Sequence, residues 1–461
     1  MRGKPVCAAS VHSATHSFSA ASLRAVLAAH TPPDATGLVV ALSGGADSAN
    51  LLSAAASLKG SFRGFDVRAV HVDHGLQAAA PAFRKACAAL CEDFGIPLTV
   101  LSLVVHTPQG ASIEAAARDA RYAALAAELK PGECLLTAHH SKDQAETLLL
   151  QGLRGAGLKG ISAMPICRPL GQGWHLRPVL ETAQHELLAL GAHLSVAAAS
   201  DPMNEDVRFD RSYLRRQVWP LLELRWPAAA ATLARVARHA GEAQELCDAW
   251  AAADVGRLRD GDALSMPGLR TLAPQARVNA LRFWLAEFGV DAPPASRLTE
   301  ALRQMLEAQP DHLPVVVWGD YAMRRYRQRI FLTPRHPPRL EGRQPWVWGA
   351  VAPLDLGADL GILRWVPQAG GLDPSRAGAV LSVRRREGGE TLKPAAGART
   401  QSVQHLCQSQ GVLPWMRDAL PLVFAADALI AIGDLWLDAR FRAAAGAPGL
   451  AIRWELAPII V

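Results

Sequence analysis

The sequence predicts an α/β fold with a parallel sheet in its first half, followed by a mainly helical domain and a small α+β domain. Three patterns indicate this order. Short apolar runs alternate with helix-like patterns between residues 37 and 153, a long amphipathic pattern follows residue 226, and the tail after residue 346 holds short apolar runs broken by Gly and Pro. With 461 residues, 50% of them hydrophobic, the chain is long enough for several domains and does not have a disordered composition.

The first half contains alternating strand and helix patterns. The predicted strands are Gly37–Leu42, Val67–Val72, Leu98–Val105 and Glu133–Ala138, and the predicted helices are Asp47–Leu58, Pro81–Phe94, Ser112–Leu129 and Lys142–Leu153. Such alternation indicates a parallel sheet with helices on both faces, and ligands of such sheets bind at the carboxyl ends of the strands.

The second half has a different pattern. Apolar residues at helical spacing predict one amphipathic helix through Leu233, Val236, Ala240, Ala243, Leu246 and Trp250. Val315–Trp318 and Tyr321–Leu332 predict a hairpin about Gly319 and Asp320. The predicted organisation is a leader at 1–36, a first domain at 37–222, a helical domain at 223–333, a Pro-rich linker at 334–346 and a C-terminal domain at 347–461.

Charge and cysteine content limit the classes of function. The net charge is +6, and of 48 basic residues only seven are lysine, so 41 are arginine. Arginine suits phosphate contacts, although a general arginine bias of the sequence gives the same count. The seven scattered cysteines contain no CxxC pair, which predicts reduced thiols. No apolar run is long enough for a membrane span and no signal peptide is apparent, so we expect a cytoplasmic protein without membrane contact.

The segment from Ser43 to Ser48 is the sharpest chemical signal. It reads Ser43-Gly44-Gly45-Ala46-Asp47-Ser48 and joins an apolar strand to a helix. Glycines let the backbone approach an anion, and the free N–H groups of a helix start can bind it. A carboxylate at Asp47 beside phosphates suggests Mg²⁺ between them. The alternative is a tight turn with a serine cap, and no Walker A lysine follows.

A second group of chemically active residues follows the fourth predicted strand. His139 and His140 end that strand, so they lie at the same sheet edge as the Ser43–Ser48 loop. Asp143 and Glu146 are three residues apart and share a face of the next helix. Histidines and carboxylates beside a phosphate loop can transfer protons or bind a metal. The alternative is that the histidines cap the helix and Asp143 is a first-turn charge.

These motifs resemble those of a known enzyme family. SGGxDS is the signature of the PP-loop ATP pyrophosphatases, which split ATP into AMP and pyrophosphate. Further segments are similar to the tRNA(Ile)-lysidine synthetase family, at residues 71–76, 114–122, 136–147, 154–160, 201–206, 211–215, 386–390 and 414–422. Two positions depart from the family pattern: Lys142 stands where an Asp is usual, and no Lys pair follows Ser402.

The resemblance implies ATP-dependent ligation of free L-lysine to C2 of the wobble cytidine in a tRNA(Ile) with anticodon CAU. An adenylated cytidine forms first, AMP and pyrophosphate are released, and codon reading changes from AUG to AUA, with tRNA identity changing from Met to Ile. The implied cofactors are ATP, bound at Ser43–Ser48, and Mg²⁺, bound at Asp47. The candidate catalytic residues are Asp47, His140, Asp143, Glu146 and Arg215. Either Asp143 or Glu146 is expected to take the proton of the lysine amine, and a homodimer is an expectation from the family.

Arginine-rich segments are candidates for tRNA contacts. The candidate tRNA-binding residues are Arg208, Arg211, Arg216, Arg384, Arg385 and Arg386. Arg324, Arg325, Arg327 and Arg329 also alternate with Tyr321 and Tyr326 in a predicted strand, which forms either a nucleic-acid face or a solvated strand.

Three other functions compete with lysidine synthesis. A PP-loop tRNA thiolase resembles SGGKDS and carries CxxC, whereas this chain has Ala46 and no CxxC. A glutamine-dependent amidotransferase needs a glutaminase domain, and only 36 residues precede the first strand. A non-catalytic tRNA-binding protein would tolerate loss of Asp47 or Glu146, and both are present.

Overall fold

A computed structural model of the chain describes residues 18–73, 80–103, 113–190, 209–309, 312–347, 353–357, 359–378 and 380–455. The chain divides into two compact units, Met1–Asp248 and Ala249–Val461. The predicted domain boundaries at residues 222 and 346 stay predictions. The segments 74–76 and 201–206 and the tRNA-binding candidate Arg208 lie outside the described residues.

The first unit is built on a six-stranded sheet. Its elements are α1 (Ala20–His30), β1 (Gly37–Ala41), α2 (Ala46–Ala56), β2 (Val67–Asp73), α3 (Ala80–Asp93), β3 (Leu98–Ser102), α4 (Ile113–Glu128), β4 (Glu133–Leu136), α5 (Ser141–Leu153), α6 (Leu158–Ile161), β5 (Cys167–Leu170), β6 (Gly173–Leu176), α7 (Gln184–Leu190) and α8 (Asp210–Tyr213). The strand order is β3-β2-β1-β4-β6-β5, and among the described strands of this sheet β5 alone runs antiparallel to its neighbour. The parallel α/β prediction is confirmed, and β5 and β6 extend the predicted sheet.

Successive residues of the central strand enter cores on opposite faces of the sheet. Leu38 and Val40 pack with residues of α1 and α2 on one face. Val39 packs with Leu125 and Leu129 of the α4 region on the other face. Strands that are buried on both faces are typical of parallel sheets. Because β1, β2 and β4 run parallel, the polar residues that follow them lie at the same carboxyl edge of the sheet.

Three helical segments follow α8 in chain order. A π-helical turn at Leu214–Val218 is followed by α9 (Trp219–Arg225) and α10 (Ala229–Leu258). The predicted amphipathic helix lies within α10, but three residues of its predicted apolar face, Val236, Leu246 and Trp250, are exposed, whereas Ala237 is buried. The spacing correctly indicated a helix and did not indicate which side of it is covered.

The helical part of the second unit includes a small sheet. Its elements are β7 (Arg259–Asp260), β8 (Ala263–Ser265), α11 (Met266–Thr271), α12 (Pro274–Glu287), α13 (Ala295–Glu307), β9 (Val315–Trp318), β10 (Tyr321–Tyr326) and β11 (Arg329–Pro334). The predicted turn at Gly319 is present, but the predicted long strand Tyr321–Leu332 is wrong. It is divided by a second turn in which Arg327 and Gln328 both have positive φ.

For the arginines of this hairpin the sequence left open a nucleic-acid face or a solvated strand, and the buried Arg325 fits neither. Whether the other arginines contact nucleic acid stays a prediction. Arg325 is buried and donates hydrogen bonds to the backbone oxygens of Met305 and Ala308. Arg324 donates to the Thr333 hydroxyl at 2.9 Å, and Arg327 lies in the turn instead of a strand. These guanidinium groups stabilise their own unit.

The remaining described residues of the second unit form mainly antiparallel strands, with one α-helix and three short 3-10 turns among them. Its elements are β12 (Arg343–Val347), β13 (Leu354–Asp355), β14 (Ile362–Leu372), β15 (Val380–Arg384), β16 (Thr391–Leu392), β17 (Gln401–Ser402), α14 (Val403–Gln410), β18 (Leu422–Ala425), β19 (Ala428–Ile432), β20 (Trp436–Leu437) and β21 (Leu450–Glu455). Leu340, in the segment predicted as a linker, is fully buried. No helix in the described ranges is long and apolar enough to cross a bilayer.

Candidate active site

The Ser43–Ser48 loop turns sharply between β1 and α2. Gly44 has φ +87°, and a Cβ built on it would lie 2.6 Å from Cδ1 of Phe83, so both the conformation and the space favour glycine. The hydroxyls of Ser43 and Ser48 lie 3.0 Å apart, and the Ser48 hydroxyl accepts a hydrogen bond from the Ser43 amide. Gly45 caps α2 without a side-chain hydrogen bond. The loop is therefore a backbone turn that leaves the start of α2 uncapped by any side chain, as an anion site requires.

Asp47 lies in the first turn of α2 and faces two polar side chains. The Gln184 side-chain amide donates to Asp47 Oδ2 at 3.2 Å, and Nε2 of His140 lies 3.8 Å from the same oxygen. Burial raises the pKa of the Asp47 carboxyl, against the opposing effect of His140. The side chain keeps 32% of its surface exposed, so a ligand can reach it.

Residues at the start of α5 cap the helix and also belong to the candidate site. His140 is the N-cap residue, and its Nδ1 accepts a hydrogen bond from the Lys142 amide at 3.2 Å. The Asp143 carboxylate accepts from the His140 amide at 3.1 Å, which completes a capping box. The capping interpretation of these residues is therefore correct, and the same His140 ring also places Nε2 3.4 Å from Asp143 Oδ2.

Asp143, Glu146, Arg211 and Arg215 form what we call the carboxylate–arginine cluster. Glu146 is fully buried and accepts from Arg215 Nε at 2.8 Å, Arg215 Nη2 at 2.7 Å and Arg211 Nε at 3.0 Å. Both arginines also donate to Asp143 Oδ1 at 3.1 Å. Although burial opposes ionisation of Asp143, the nearby His140 and Arg211 lower the pKa of its carboxyl. Hydrogen bonding to Glu146 raises the pKa of Arg215.

The two arginines of this cluster come from the helical segment that follows residue 208. Arg211 belongs to α8, and Arg215 lies in the π-helical turn that joins α8 to α9. Lys142, the position that departs from the family pattern, connects α5 to α9. Its Nζ lies 3.5 Å from a Glu223 carboxylate oxygen and 5.3 Å from the centre of the Trp219 ring.

A group that the sequence did not predict lies between α4, β5 and β6. Arg118, Arg121 and Arg168 place their guanidinium carbons 5.4, 5.7 and 5.5 Å from the centre of the Tyr122 ring, and we call these four residues the arginine–tyrosine cluster. Within the described ranges none of its arginines forms an ion pair with a carboxylate. Burial lowers the pKa of Arg121. The motif at residues 114–122 was a signal for this cluster, but it gave no role to individual arginines.

His139 belongs to a hydrogen-bonded row of side chains beside that cluster. Its Nδ1 lies 2.8 Å from the Thr137 hydroxyl, which lies 2.9 Å from Nε2 of His175. Arg177 Nη2 lies 3.1 Å from Nδ1 of His175. Burial lowers the pKa of His175 to about 2, and burial likewise lowers the pKa of His139. Both rings are therefore neutral at physiological pH.

The donor set around Asp47 fits a magnesium ion that is held mainly by a nucleotide. Within the described residues no group of three or more His, Cys, Asp or Glu side chains could hold a metal ion alone. Mg²⁺ commonly binds one or two carboxylates together with substrate phosphates, without a cage made only of protein. A partly exposed carboxylate in the first turn of α2, next to the Ser43–Ser48 loop, meets that requirement.

The structure brings the five predicted catalytic residues together. Asp47, His140 and Asp143 are linked by the distances above, and Glu146 and Arg215 are held by the same cluster. Arg211, predicted to bind tRNA, is part of that cluster, and Arg216 is exposed in the π-helical turn. In the second unit, Arg384 packs against the Phe424 ring and pairs with Glu387, and Arg385 and Arg386 follow β15. Whether these arginines contact tRNA stays a prediction.

Comparison with known proteins decides the family. A PP-loop domain family matches residues 18–222, the TilS substrate binding domain matches 264–331, and the TilS substrate C-terminal domain matches 381–454. The tRNA(Ile)-lysidine synthase of Alkalilimnicola ehrlichii is 39% identical over 89% of this chain and 92% of its own length. The chain belongs to the tRNA(Ile)-lysidine synthase family. The enzyme of that name from Methylococcus capsulatus is 37% identical over 90% of this chain and 95% of its own length. The one from Pseudomonas aeruginosa is 39% identical over 87% of this chain and 90% of its own length.

Family membership confirms several predictions. The chain is a ligase of the tRNA-modifying class with an ATP-binding PP-loop domain. The C-terminal match begins in β15 and includes the Arg384–Arg386 segment. The predicted cytoplasmic location and homodimer stay predictions.

Proposed function

We propose that this enzyme ligates free L-lysine to C2 of the wobble cytidine of a tRNA(Ile) with anticodon CAU, consuming ATP and releasing AMP and pyrophosphate. The codon read by the tRNA would change from AUG to AUA, and its identity from Met to Ile. The observation that carries this proposal is the carboxylate–arginine cluster beside Asp47 and the Ser43–Ser48 loop. A phosphate-binding turn and two paired carboxylates at one sheet edge supply what the two chemical steps require.

The first step joins the cytosine 2-oxygen to the α-phosphorus of ATP, and pyrophosphate leaves. In this proposal the Ser43–Ser48 backbone binds the departing phosphates, and Asp47 would hold Mg²⁺, which neutralises phosphate charge when it is bound. Arg215 keeps 38% of its side chain exposed while it is bonded to Glu146, so it can also reach a phosphate oxygen. Positive charge at this position stabilises the charge that develops on the α-phosphate.

The second step forms the bond between the lysine ε-nitrogen and C2, and AMP leaves. The free ε-amine has a pKa near 10.4, so at neutral pH a base must take one of its protons. Asp143 and Glu146 remain the two candidates, and they differ in access. Glu146 has no exposed surface, whereas Asp143 keeps 14% of its side chain exposed. The difference favours Asp143 as the residue that meets the amine.

The proposed tRNA contacts are electrostatic. Arg211 and Arg216 belong to the segment next to the site, Arg208 precedes them in sequence, and Arg384, Arg385 and Arg386 belong to the second unit. Guanidinium groups bind RNA phosphates without reading the base sequence. In that arrangement the C-terminal arginines contribute to tRNA affinity, and the first unit supplies the chemistry.

Transfer of labelled lysine tests the proposed function directly. With ATP and isotopically labelled lysine, label should enter a tRNA(Ile) transcript with anticodon CAU, and AMP should appear in equal amount. The matched transcript with U at the wobble position should remain unlabelled, because uracil lacks the exocyclic amine of the required base. Incorporation of sulfur from cysteine, with lysine left unused, would instead establish the thiolase alternative.

A further inference from the structure

A row of hydrogen-bonded side chains runs from two arginines through His175 and Thr137 to His139. Arg177 and Arg168 both reach Nδ1 of His175, at 3.1 and 3.5 Å. His175 Nε2 lies 2.9 Å from the Thr137 hydroxyl, and that hydroxyl lies 2.8 Å from His139 Nδ1. His175 is fully buried, and its position in β6, the neighbour of β4, fixes its distance from Thr137.

Arginine sets the direction of every hydrogen bond in this row. A guanidinium group has donors only, so Nδ1 of His175 must accept, and its ring carries its proton on Nε2. That N–H then donates to the Thr137 oxygen. The hydroxyl of Thr137 has one proton, and within the described ranges its remaining hydrogen-bond partner is Nδ1 of His139. His139 Nδ1 therefore accepts, and the proton of the neutral His139 ring lies on Nε2.

The surroundings of the row keep both rings neutral. Positive charges on Arg118, Arg168 and Arg177 act on His175, and Arg118 and Arg177 also act on His139. The Asp143 carboxylate raises the pKa of His139, but burial of the ring lowers it by more. His139 directly precedes His140, whose Nε2 lies 3.4 Å from Asp143 of the carboxylate–arginine cluster.

We propose that His175 is a positioning residue that acts through Thr137 to hold His139 as a neutral ring with its proton on Nε2, so that His139 serves the reaction as a hydrogen-bond donor and not as a base. The inference rests on the proposed function for the identity of the reaction. It also narrows the choice of base. His140 Nδ1 already accepts from the Lys142 amide, so neither histidine offers a free nitrogen lone pair, and the lysine proton goes to a carboxylate.

Nitrogen spectroscopy of the full-length protein tests the ring assignment without substrate. In ¹⁵N-histidine-labelled protein, correlation through the ring protons distinguishes a protonated from an unprotonated nitrogen. We expect His139 to show a bare Nδ1 and a protonated Nε2 at neutral pH. His71 provides an internal reference of the opposite kind, because its Nδ1 lies 2.8 Å from the Leu42 carbonyl and must donate to it. The variants His139→Gln and His71→Gln assign the two sets of signals.

Variants of the row then separate positioning from folding. His175→Leu and Thr137→Val each remove the directed hydrogen bond, and we expect His139 to acquire a substantial population with the proton on Nδ1. His175→Gln keeps an acceptor for the arginines and a donor for Thr137, and Thr137→Ser keeps the hydroxyl, so these two variants should restore the original signal. His71→Gln changes a buried histidine of β2 outside the row and should leave the His139 signal as it is.

Kinetics supply the second readout. His175→Leu should lower kcat for adenylate formation about three- to tenfold, the factor that one neutral hydrogen bond supplies, with little change in the KM for ATP. His175→Gln should recover most of that loss. A protonated Nδ1 on His139 in the unmodified protein, or a His139 signal indifferent to His175→Leu in folded protein, would overturn the proposal. Because the spectra need no substrate, failure of the lysine-transfer assay counts against the proposed function separately.

Discussion

Two arginine–carboxylate groups of similar geometry lie at opposite edges of the same parallel sheet. At the amino edge, Arg68 in β2 bonds Glu133 at 2.6 Å and Glu128 at 2.9 Å. At the carboxyl edge, the carboxylate–arginine cluster has bonds of 2.7–3.1 Å. Distances alone do not tell them apart. The amino-edge group joins the ends of elements that the sheet already packs together, whereas the other binds a helical segment from beyond residue 208 to α5.

If the proposed function is correct, position in the fold, and not the strength of pairing, separates the structural ion pairs of the amino edge from the ion pairs assigned to the reaction. Ligands of parallel α/β sheets bind outside the carboxyl ends of the strands. Asp47 and His140 extend the carboxyl-edge cluster toward the Ser43–Ser48 loop. At the amino edge, Glu133 instead accepts a further hydrogen bond from the Lys130 backbone amide. Replacing residues in each group should therefore give opposite results.

The largest effect is expected at Glu146. Glu146→Gln keeps the shape of the side chain but removes the charge that holds Arg211 and Arg215, so AMP formation should fall by about 10²-fold or more. Glu128→Gln makes the same change in the amino-edge group and should leave the rate within about twofold, because no reacting group is near it. Thermal unfolding of both variants distinguishes lost chemistry from lost fold. Equal losses of activity in the two variants would remove the distinction between the edges.

Asp47→Asn should separate function from stability. Burial raises the pKa of Asp47, which means that the folded state disfavours its ionised form, and at neutral pH the charge therefore lowers stability. The side-chain oxygen of the introduced asparagine can still accept the hydrogen bond from Gln184. We expect the melting temperature to stay the same or rise, and AMP formation to fall by about 10²-fold as the proposed Mg²⁺ contact is lost. Undiminished AMP formation would contradict the role assigned to the loop.

The smallest effect on activity is expected at Arg68. Arg68→Met leaves Glu133 without its guanidinium partner and should lower the free energy of unfolding by about 1–3 kcal/mol, with unchanged AMP formation. The pKa of Glu133 is lowered in the folded state: burial opposes this, but Arg68 outweighs it. The stability that ionised Glu133 contributes is therefore present above pH 4.5 and lost as the pH falls through the folded-state pKa. Wild type and Arg68→Met should then have similar free energies of unfolding in acid.

Urea denaturation of wild type and Arg68→Met between pH 7 and pH 3 measures this convergence. Arg24→Met is the matched control, because Arg24 bonds the backbone and hydroxyl of Ser61 instead of a carboxylate. Its stability difference from wild type should not depend on pH over that interval. If the difference in free energy of unfolding between wild type and Arg68→Met stays constant with pH, then packing of the arginine stem, and not its charge, stabilises this edge.

Local patterns were sufficient for the first four strands and the helices between them. They failed where tertiary contacts decide the structure. The β5–β6 hairpin contains Pro169 in a charged, short segment, which is permitted only because β5 is an edge strand. The turn at Arg327 and Gln328 uses positive φ without glycine, so no turn residue announced it.

In the candidate site, too, local patterns predicted some residues, and others depend on tertiary contacts. Asp47, His140, Asp143 and Glu146 were predictable because strand ends and helical spacing bring them together. Gln184 is 137 residues from Asp47 in sequence, and no local pattern links them. The pairing of His175 with Thr137 likewise depends on the position of β6 next to β4. The sequence analysis did not predict β6.

The π-helical turn at Leu214–Val218 makes the chain length of this segment part of its chemistry. A π-helical turn accommodates an additional residue within an otherwise α-helical path. Because the turn already absorbs that residue, removing one residue there would restore the regular helix and leave α8 and α9 in their present phase. Trp219 and Glu223 would keep their contacts with Lys142, whereas Arg215, inside the turn, would change direction. A single-residue deletion at this turn should therefore lower AMP formation through Arg215 while the contacts between α5 and α9 remain.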